Sequence, residues 1–351
     1  MAMDFSGIPA ARLRRHARRA QAAWACQAML LAAACALAQP AWSVEASKAA
    51  PDPVLATLQK IQDAARKLDY SGVYTYQQGG VMLSSRIVHL VDGTGERERI
   101  EMLDGAPREF LRHNETTQCL VPEKKVVIVE RRRGDRFPAL ILGEGKGIPE
   151  NYHYMQRAGT SRIAGRECSV IELTPKDSHR YGYRLCADIE TSLLLKAQTL
   201  SQHGGVIDQI SFSSLQIGDK VPSGQLASSW NTKGWQVLET AMTPVDLAKG
   251  GWRIPFPPGY QPVTQVSRPM KRGKQVKQLV ITDGLAAISV FIEPYDTDGD
   301  TALANGAVST GAMNIFRTRI GDHWLTALGE VPAETVRDIA ERTEYVPLAG
   351  R

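Results

Sequence analysis

Val73-Tyr74-Thr75-Tyr76-Gln77, then Gly79-Gly80, then a strand-like run over 81–91 that stops at Asp92-Gly93: this stretch decides the fold class. Tyrosine and β-branched residues suit a pleated, half-buried surface. Gly-Gly and Asp-Gly supply the positive φ of a tight hairpin turn. The signal repeats at Asp104-Gly105, with further strands expected near 96–103, 108–113, 117–121 and 125–131. Short strands joined by tight turns predict an antiparallel meander.

Working back toward the N-terminus, Val54, Leu55, Leu58, Ile61, Ala65 and Leu68 follow three-and-four spacing. That predicts an amphipathic helix, with Asp52 as its cap and Pro53 in its first turn. Before it, Arg12, Arg14, Arg15, Arg18 and Arg19 precede an apolar run over 22–38 that ends in Ala36-Leu37-Ala38. This is the order of a secretory signal peptide, read as residues 1–38. Those residues carry five arginines and one aspartate, so the remainder holds 37 basic and 36 acidic groups. The nearly neutral mature chain gives no reason to expect a nucleic acid partner. Cys26 and Cys35 leave with the signal, and Cys119, Cys168 and Cys186 enter a compartment where disulfides form.

Beyond the meander the strand pattern stops over 132–160. Residues 137–142 are apolar within a glycine-rich stretch, and a short helix is expected over 149–157. A connection of this length is a lid or binding loop, or simply packs over the sheet. Strands resume near 167–173, 181–188, 193–201 and 206–217. A linker follows over 218–234, rich in Gly, Ser and Pro. A smaller C-terminal part has strands near 278–282, 287–293, 313–319 and 324–329 and a closing helix over 332–342.

The usual marks of catalysis are missing. No His-Glu-x-x-His, Gly-x-Ser-x-Gly or phosphate loop occurs. Asp296-Thr297-Asp298-Gly299-Asp300 places its glycine wrongly for a calcium loop and reads as a solvated acidic turn. The histidines show no metal-ligand spacing. We therefore expect no enzyme, no metal and no cofactor. The turn near Asp177 makes Cys168 and Cys186 partners across a hairpin, with a Cys119 bridge as the alternative. Arg131-Arg132-Arg133 is the one basic cluster of the mature chain, either a solvated strand end or a dock for an acidic segment or lipid head group.

Several separate motifs together resemble the MucB/RseB family. They are Ile163-Ala164-Gly165-Arg166, Pro175-Lys176-Asp177, Arg180-Tyr181-Gly182-Tyr183-Arg184-Leu185 and Leu193-Leu194-Leu195-Lys196 in the first half. In the second half they are Thr282-Asp283-Gly284-Leu285-Ala286, Ser289-Val290-Phe291-Ile292-Glu293 and Gly329-Glu330-Val331-Pro332. The resemblance implies a mainly β protein with α-helices. Its N-terminal domain, 51–217, would be an unclosed antiparallel β-barrel like a lipoprotein carrier, holding helices on its concave face. A smaller α+β domain would span 235–347.

The resemblance also implies a role in the periplasm: a negative regulator of the sigma-E envelope stress response. Such a protein binds the periplasmic domain of a single-pass anti-sigma factor, protects it from proteolysis, and is released by lipid or acylated lipoprotein. A lipid or lipoprotein carrier is the alternative, and self-association is left open. Tyr74, Tyr76, Leu83, Phe137, Leu140 and Leu142 are the expected lipid-binding residues. Arg131, Arg132, Arg133, Trp252 and Phe291 are the expected contacts to the partner.

Overall fold

The computed structural model describes residues 52–131, 137–141, 145, 147–218, 221–239, 241–269, 275–295 and 306–347. The export signal, Arg132, Arg133, Leu142 and the acidic turn at 296–300 lie outside them.

Helix α1 (Pro53–Lys67) starts where the sequence places it. The Asp52 carboxylate accepts the Val54 N–H at 2.9 Å, and Pro53 fills the first turn. Val54, Leu58 and Ile61 on its apolar stripe are each at most 2% exposed. Burying side chains of this size contributes about 1.5–3 kcal/mol each.

Two large sheets follow. The first is built from β1 (Tyr70–Gln78), β2 (Val81–Asp92), β3 (Gly95–Met102), β4 (Glu109–His113), β5 (Thr116–Val121), β6 (Val126–Arg131), β7 (Tyr152–Ile163), β8 (Arg166–Pro175), β9 (Gly182–Asp188), β10 (Leu194–Leu200), β11 (Val206–Ile217) and β12 (Gln236–Glu239). Its order is β12-β6-β5-β4-β3-β2-β1-β11-β10-β9-β8-β7, antiparallel except for β12 on β6. The outer strands β12 and β7 do not pair, so the sheet is unclosed.

That sheet is strongly curled. One buried cluster joins Ile87 of β2 and Ile100 of β3 to Cys168 of β8, Cys186 of β9, Phe212 of β11 and Ala64 and Ala65 of α1. On a flat sheet β3 and β8 would stand six strand spacings apart, about 29 Å. The helix fills the concave face, and the sheet bends round it.

The second sheet runs β13 (Thr243–Pro244), β15 (Gln261–Pro269), β16 (Gln275–Thr282), β17 (Ala287–Pro294), β20 (His323–Gly329), β19 (Met313–Ile320), β18 (Gly306–Thr310). A small ribbon pairs β14 (Trp252–Arg253) with β21 (Glu344–Tyr345). Helix α3 (Ala333–Glu341) packs Val336, Ile339 and Ala340 against Leu279, Ile288, Val290 and Leu325 of the sheet. The protein is thus mainly β, with few helices.

Three local expectations change. The helix expected over 149–157 is a single turn, α2 (Ile148–Asn151), and the chain then becomes β7. Pairing with β8 gives that strand's N–H and C=O groups partners they would otherwise lack, and this outweighs local helix preference. Residues 221–234, within the stretch read as linker over 218–234, lie against the convex face together with Trp235. Val221 packs on Val88 and Leu90, and Trp230 and Trp235 pack near Leu120 and Val127. The Glu109 carboxylate, paired with Arg99, accepts from Ser228 Oγ at 2.6 Å and Ser229 N–H at 3.0 Å. A buried ion pair needs its remaining lone pairs filled, and this segment fills them.

The Cys168–Cys186 disulfide is present, with Cα atoms 5.4 Å apart. The cysteines are diagonal rather than opposed: Cys168 faces Asp188, and Cys186 faces Val170. Leu173 pairs with Tyr183, so the hairpin turns about residue 178 rather than 177. Moving the centre by one shifts the partner by two, which keeps both sulfurs on the same face.

Candidate ligand face and the junction between the sheets

Period-two alternation puts Tyr70, Gly72, Tyr74 and Tyr76 of β1 on the concave side. Register adds Leu83 opposite Tyr76 on β2, and Phe212 and Ile210 of β11 opposite Tyr74 and Tyr76. The Phe137 ring enters this face. It lies 5.1 Å from the Phe212 ring and 5.5 Å, edge-on, from that of Tyr74. Leu140 packs against the buried cluster beside it. The amides of Leu140 and Ile141 both donate to Gln62 Oε1 of α1, at 3.0 and 3.1 Å. Tyr74, Tyr76, Leu83 and Phe137 are therefore placed on one face, with Leu140 carried on the segment that covers it. In this conformation the protein's own helix and loop fill it.

Among the described residues, the expected partner contacts Arg131, Trp252 and Phe291 do not come together. Arg131 is exposed at the end of β6 and pairs with Glu239 of β12 at 3.1 Å. Phe291 is half-buried on the face of β17 away from α3, with the Arg268 guanidinium 5.9 Å from its ring. Trp252 is a core residue: it is 2% exposed, stacks on Tyr345 at 4.6 Å and meets His323 edge-on at 5.2 Å. The contact role that the family resemblance implied for Trp252 is corrected by its burial: the ring anchors the β14–β21 ribbon, and Trp252 can act on a partner only through that support.

Sequence reasoning missed the densest polar site. Arg180 is fully buried between the two sheets. Its guanidinium donates to both Asp177 oxygens at 3.0 and 2.9 Å, to Asp283 Oδ2 at 2.8 Å and to the Pro258 carbonyl. The Tyr260 and Tyr152 rings lie 5.0 and 5.7 Å from it. Tyr152 Oη donates to Asp283 Oδ2 at 2.9 Å, and Asp283 Oδ1 accepts the amides of Leu285 and Ala286 at 2.9 and 2.8 Å. Burial pushes the Tyr152 hydroxyl well above its usual range, so it remains a donor. Burial alone would lower Arg180, but the Asp177 hydrogen bonds and the Asp283 charge outweigh it and hold the guanidinium charged.

Three further ties join the two halves. Asp208 of β11 accepts Gly79 N–H at 3.2 Å and Ala312 N–H at 2.8 Å, linking the β1–β2 turn to the β18–β19 turn. Gly311 has φ +58°, and a Cβ there would stand 2.1 Å from the Asp208 carboxylate, so only glycine fits. Asn314 Nδ2 also reaches Tyr181 Oη at 3.2 Å, and Thr335 Oγ1 reaches the His179 carbonyl at 3.2 Å. Asp177, Arg180 and Asp283 were all visible as motif residues. No local pattern says that they meet, because Arg180 and Asp283 are 103 positions apart.

Comparison with known proteins matches residues 53–230 to the MucB/RseB N-terminal domain and residues 246–344 to the MucB/RseB C-terminal domain. The sigma factor AlgU regulatory protein MucB of Pseudomonas aeruginosa is 29% identical over 81% of this chain and 88% of that protein. The sigma-E factor regulatory protein RseB of Escherichia coli K12 is 25% identical over 83% and 90%. The crystal structure of MucB in complex with MucA(peri) aligns with a TM-score of 0.64 and 26% identity, covering 84% of this chain and 99% of that one. The Pseudomonas aeruginosa MucA/MucB complex aligns with the same TM-score at 27% identity, over 85% and 100%. With both domains matched, in order and over most of its length, this chain belongs to the MucB/RseB family.

Proposed function

We propose that the protein works in the periplasm as a negative regulator of the sigma-E envelope stress response. It binds the periplasmic domain of a single-pass anti-sigma factor and shields it from proteolysis. The observation that carries this reading is the likeness of the whole two-sheet chain to MucB in complex with MucA(peri). A carrier needs only the curled first sheet, so the second sheet and its built junction favour the regulator over a lipid or lipoprotein carrier.

In this reading residues 1–38 export the chain. Residues 51–217 form a lipoprotein-carrier-like sensing domain, 218–234 connect, and 235–347 supply most of the partner contact, with Phe291 on the face away from α3. The Arg131–Arg133 cluster meets acidic groups of the partner or a lipid. Release comes from an acyl chain that enters the concave face among Tyr74, Tyr76, Leu83 and Phe137. Each buried CH₂ contributes about 0.8 kcal/mol, so even six carbons provide roughly 5 kcal/mol before ordering costs.

The test is binding of the mature protein to the anti-sigma periplasmic domain, read together with protection of that domain from its protease. Tight binding with slowed cleavage is expected. Capture from membranes of lipoproteins only, with no small single-pass protein, would favour the carrier instead. Competition by an acylated peptide against its deacylated twin tests the lipid step. Equal effects of the two would remove acyl binding.

A further inference from the structure

The segment that plugs the concave face also touches the second sheet, within a few residues. Phe137 sits among Tyr74 and Phe212. Ile141, four residues on, is 4% exposed and packs in one cluster with Val54, Leu58 and Ile61 of α1. Ile148 and Tyr152 belong to that same cluster, and so does Leu285, its one member from the second sheet among the described residues. Leu285 stands in the turn that Asp283 organises.

The contact there is close. Gly284 has φ +103°, and a Cβ on it would lie 2.9 Å from Gly145 Cα and 3.0 Å from Ile148 Cγ1. No side chain fits between the two backbones. The Ile148 side chain, fully buried, therefore presses on the 283–286 turn from one side. Arg180 and Tyr152 hold Asp283 from the other.

The two halves of this arrangement respond differently to a guest. Apolar packing around Phe137 and Ile141 is non-directional, and an acyl chain can replace it. A chain occupying the Phe137 site displaces the packing of residues 137–141, and Ile141 bears directly on the Ile148 contact: a Cβ on Gly145 would lie 2.9 Å from Ile141 Cγ2 and 3.1 Å from Ile148 Cδ1. The turn cannot follow freely, since Asp283 is fixed by four hydrogen bonds.

We infer that the packing of Gly145 and Ile148 against the Gly284-Leu285 turn is the physical link that carries acyl occupancy of the first sheet to the partner-binding second sheet. This rests on the function proposed above and names the residues that couple its two ligands. Ile148 and Leu285 are positioning residues here: they touch neither ligand and set how strongly one ligand opposes the other. Coupling between two ligands is a free energy of its own, separable from either affinity.

The experiment uses the full mature chain, a diacylated lipopeptide and the anti-sigma periplasmic domain. Partner affinity is measured with and without saturating lipopeptide, for wild type, Ile148→Ala and Leu285→Ala. Wild type should show a weakening within the usual range of roughly 5- to 150-fold. Both variants should bind each ligand alone within about 3-fold of wild type, yet lose most of the mutual weakening. Undiminished weakening in both overturns the inference. No effect of lipopeptide on wild type overturns the lipid-release step proposed above, and the inference with it, while partner binding and protection are read separately.

Hydrogen exchange on wild type gives a second reading that needs no variant. Lipopeptide should speed exchange at the Leu140 and Ile141 amides, and also at the Leu285 and Ala286 amides that Asp283 holds. A change confined to residues 140 and 141 overturns the link.

Discussion

The concave face of the first sheet and the junction with the second are both buried, but they are held by opposite means. On the concave face, rings and aliphatic chains pack without direction, and one glutamine, Gln62, anchors the covering segment through two amides. At the junction a buried arginine and two aspartates are saturated by hydrogen bonds of fixed geometry. Apolar contents can be exchanged for other apolar contents at little net change. A buried ion pair tolerates no partial replacement, because a lone survivor is left uncompensated. The function proposed above, a guest on one side and two sheets kept in register on the other, would use each kind of packing where its tolerance fits.

The comparison breaks hardest at Arg180. Arg180→Leu leaves Asp283 buried without its cation, and Asp177, 29% exposed, without its partner; the change should cost about 3–5 kcal/mol. Thermal and denaturant unfolding would show the loss. The double change Arg180→Leu with Asp283→Leu should recover part of it, since no fully buried charge then stays unpaired and Asp177 keeps its contact with water. A single variant as stable as wild type would mean that the junction does not hold the sheets.

The disulfide sharpens the other side. Cys168 and Cys186 sit on the concave face beneath α1, in the cluster that includes Phe137. Replacing both with Ala should cost roughly 3 kcal/mol in the chain-entropy view. Lipopeptide binding, expected to depend on the curl of the sheet, should weaken in parallel. Loss of stability with unchanged lipopeptide affinity would separate the floor of the face from its use.

What was legible in the sequence follows the same division. Hairpins announced themselves through Gly79-Gly80 and Asp92-Gly93, and α1 through its cap and stripe, because those signals are local. The aromatic series Tyr74 and Tyr76 was legible as a face, since alternation alone assigns it. Strand β7 was misread as a helix because its stability comes from β8, which the local pattern cannot show. Trp252 looked like a contact residue, yet its environment is fixed by Tyr345 at the far end of the chain. The Cys168–Cys186 pair was found from spacing, but its register depended on a turn centre one residue away. Arg180 was seen only as part of a motif, for a reason of the same kind: its acid partner Asp283 arrives with another sheet.

A smaller effect is expected from Phe137. Phe137→Ala removes a half-buried ring from the concave face and should cost about 1–2 kcal/mol, below the range for a fully buried phenylalanine. It should nonetheless change lipopeptide binding more than Arg180→Leu does, because it opens the space proposed above for the acyl chain. Leu140→Asp should abolish the difference between acylated and deacylated peptides while leaving partner binding without lipid intact. If neither variant alters lipopeptide binding, the guest lies elsewhere.

The smallest effect separates the two regions by pH. Glu330, in the segment Gly329-Glu330-Val331-Pro332, has its carboxyl pushed up from the ordinary 4.5, first by burial and then by the nearby Asp208 charge. A raised carboxyl means that the folded state keeps its proton to higher pH than the unfolded state does. Between the ordinary value and the raised one, folding binds more protons than unfolding, so this group's contribution falls as pH rises through that window. At neutral pH the charged Glu330 therefore works against the tie that Asp208 makes between Gly79 and Ala312. Glu330→Gln keeps the shape and removes the charge. Its melting midpoint should exceed that of wild type at pH 7.5, and the gap should close as both are titrated down toward pH 4.5. Phe137→Ala, which touches no titrating group of the junction, should show a gap that does not move with pH. A Glu330→Gln gap equally flat across the series would mean that the junction carries no titration of its own, and that its polar network differs from the apolar face in geometry alone.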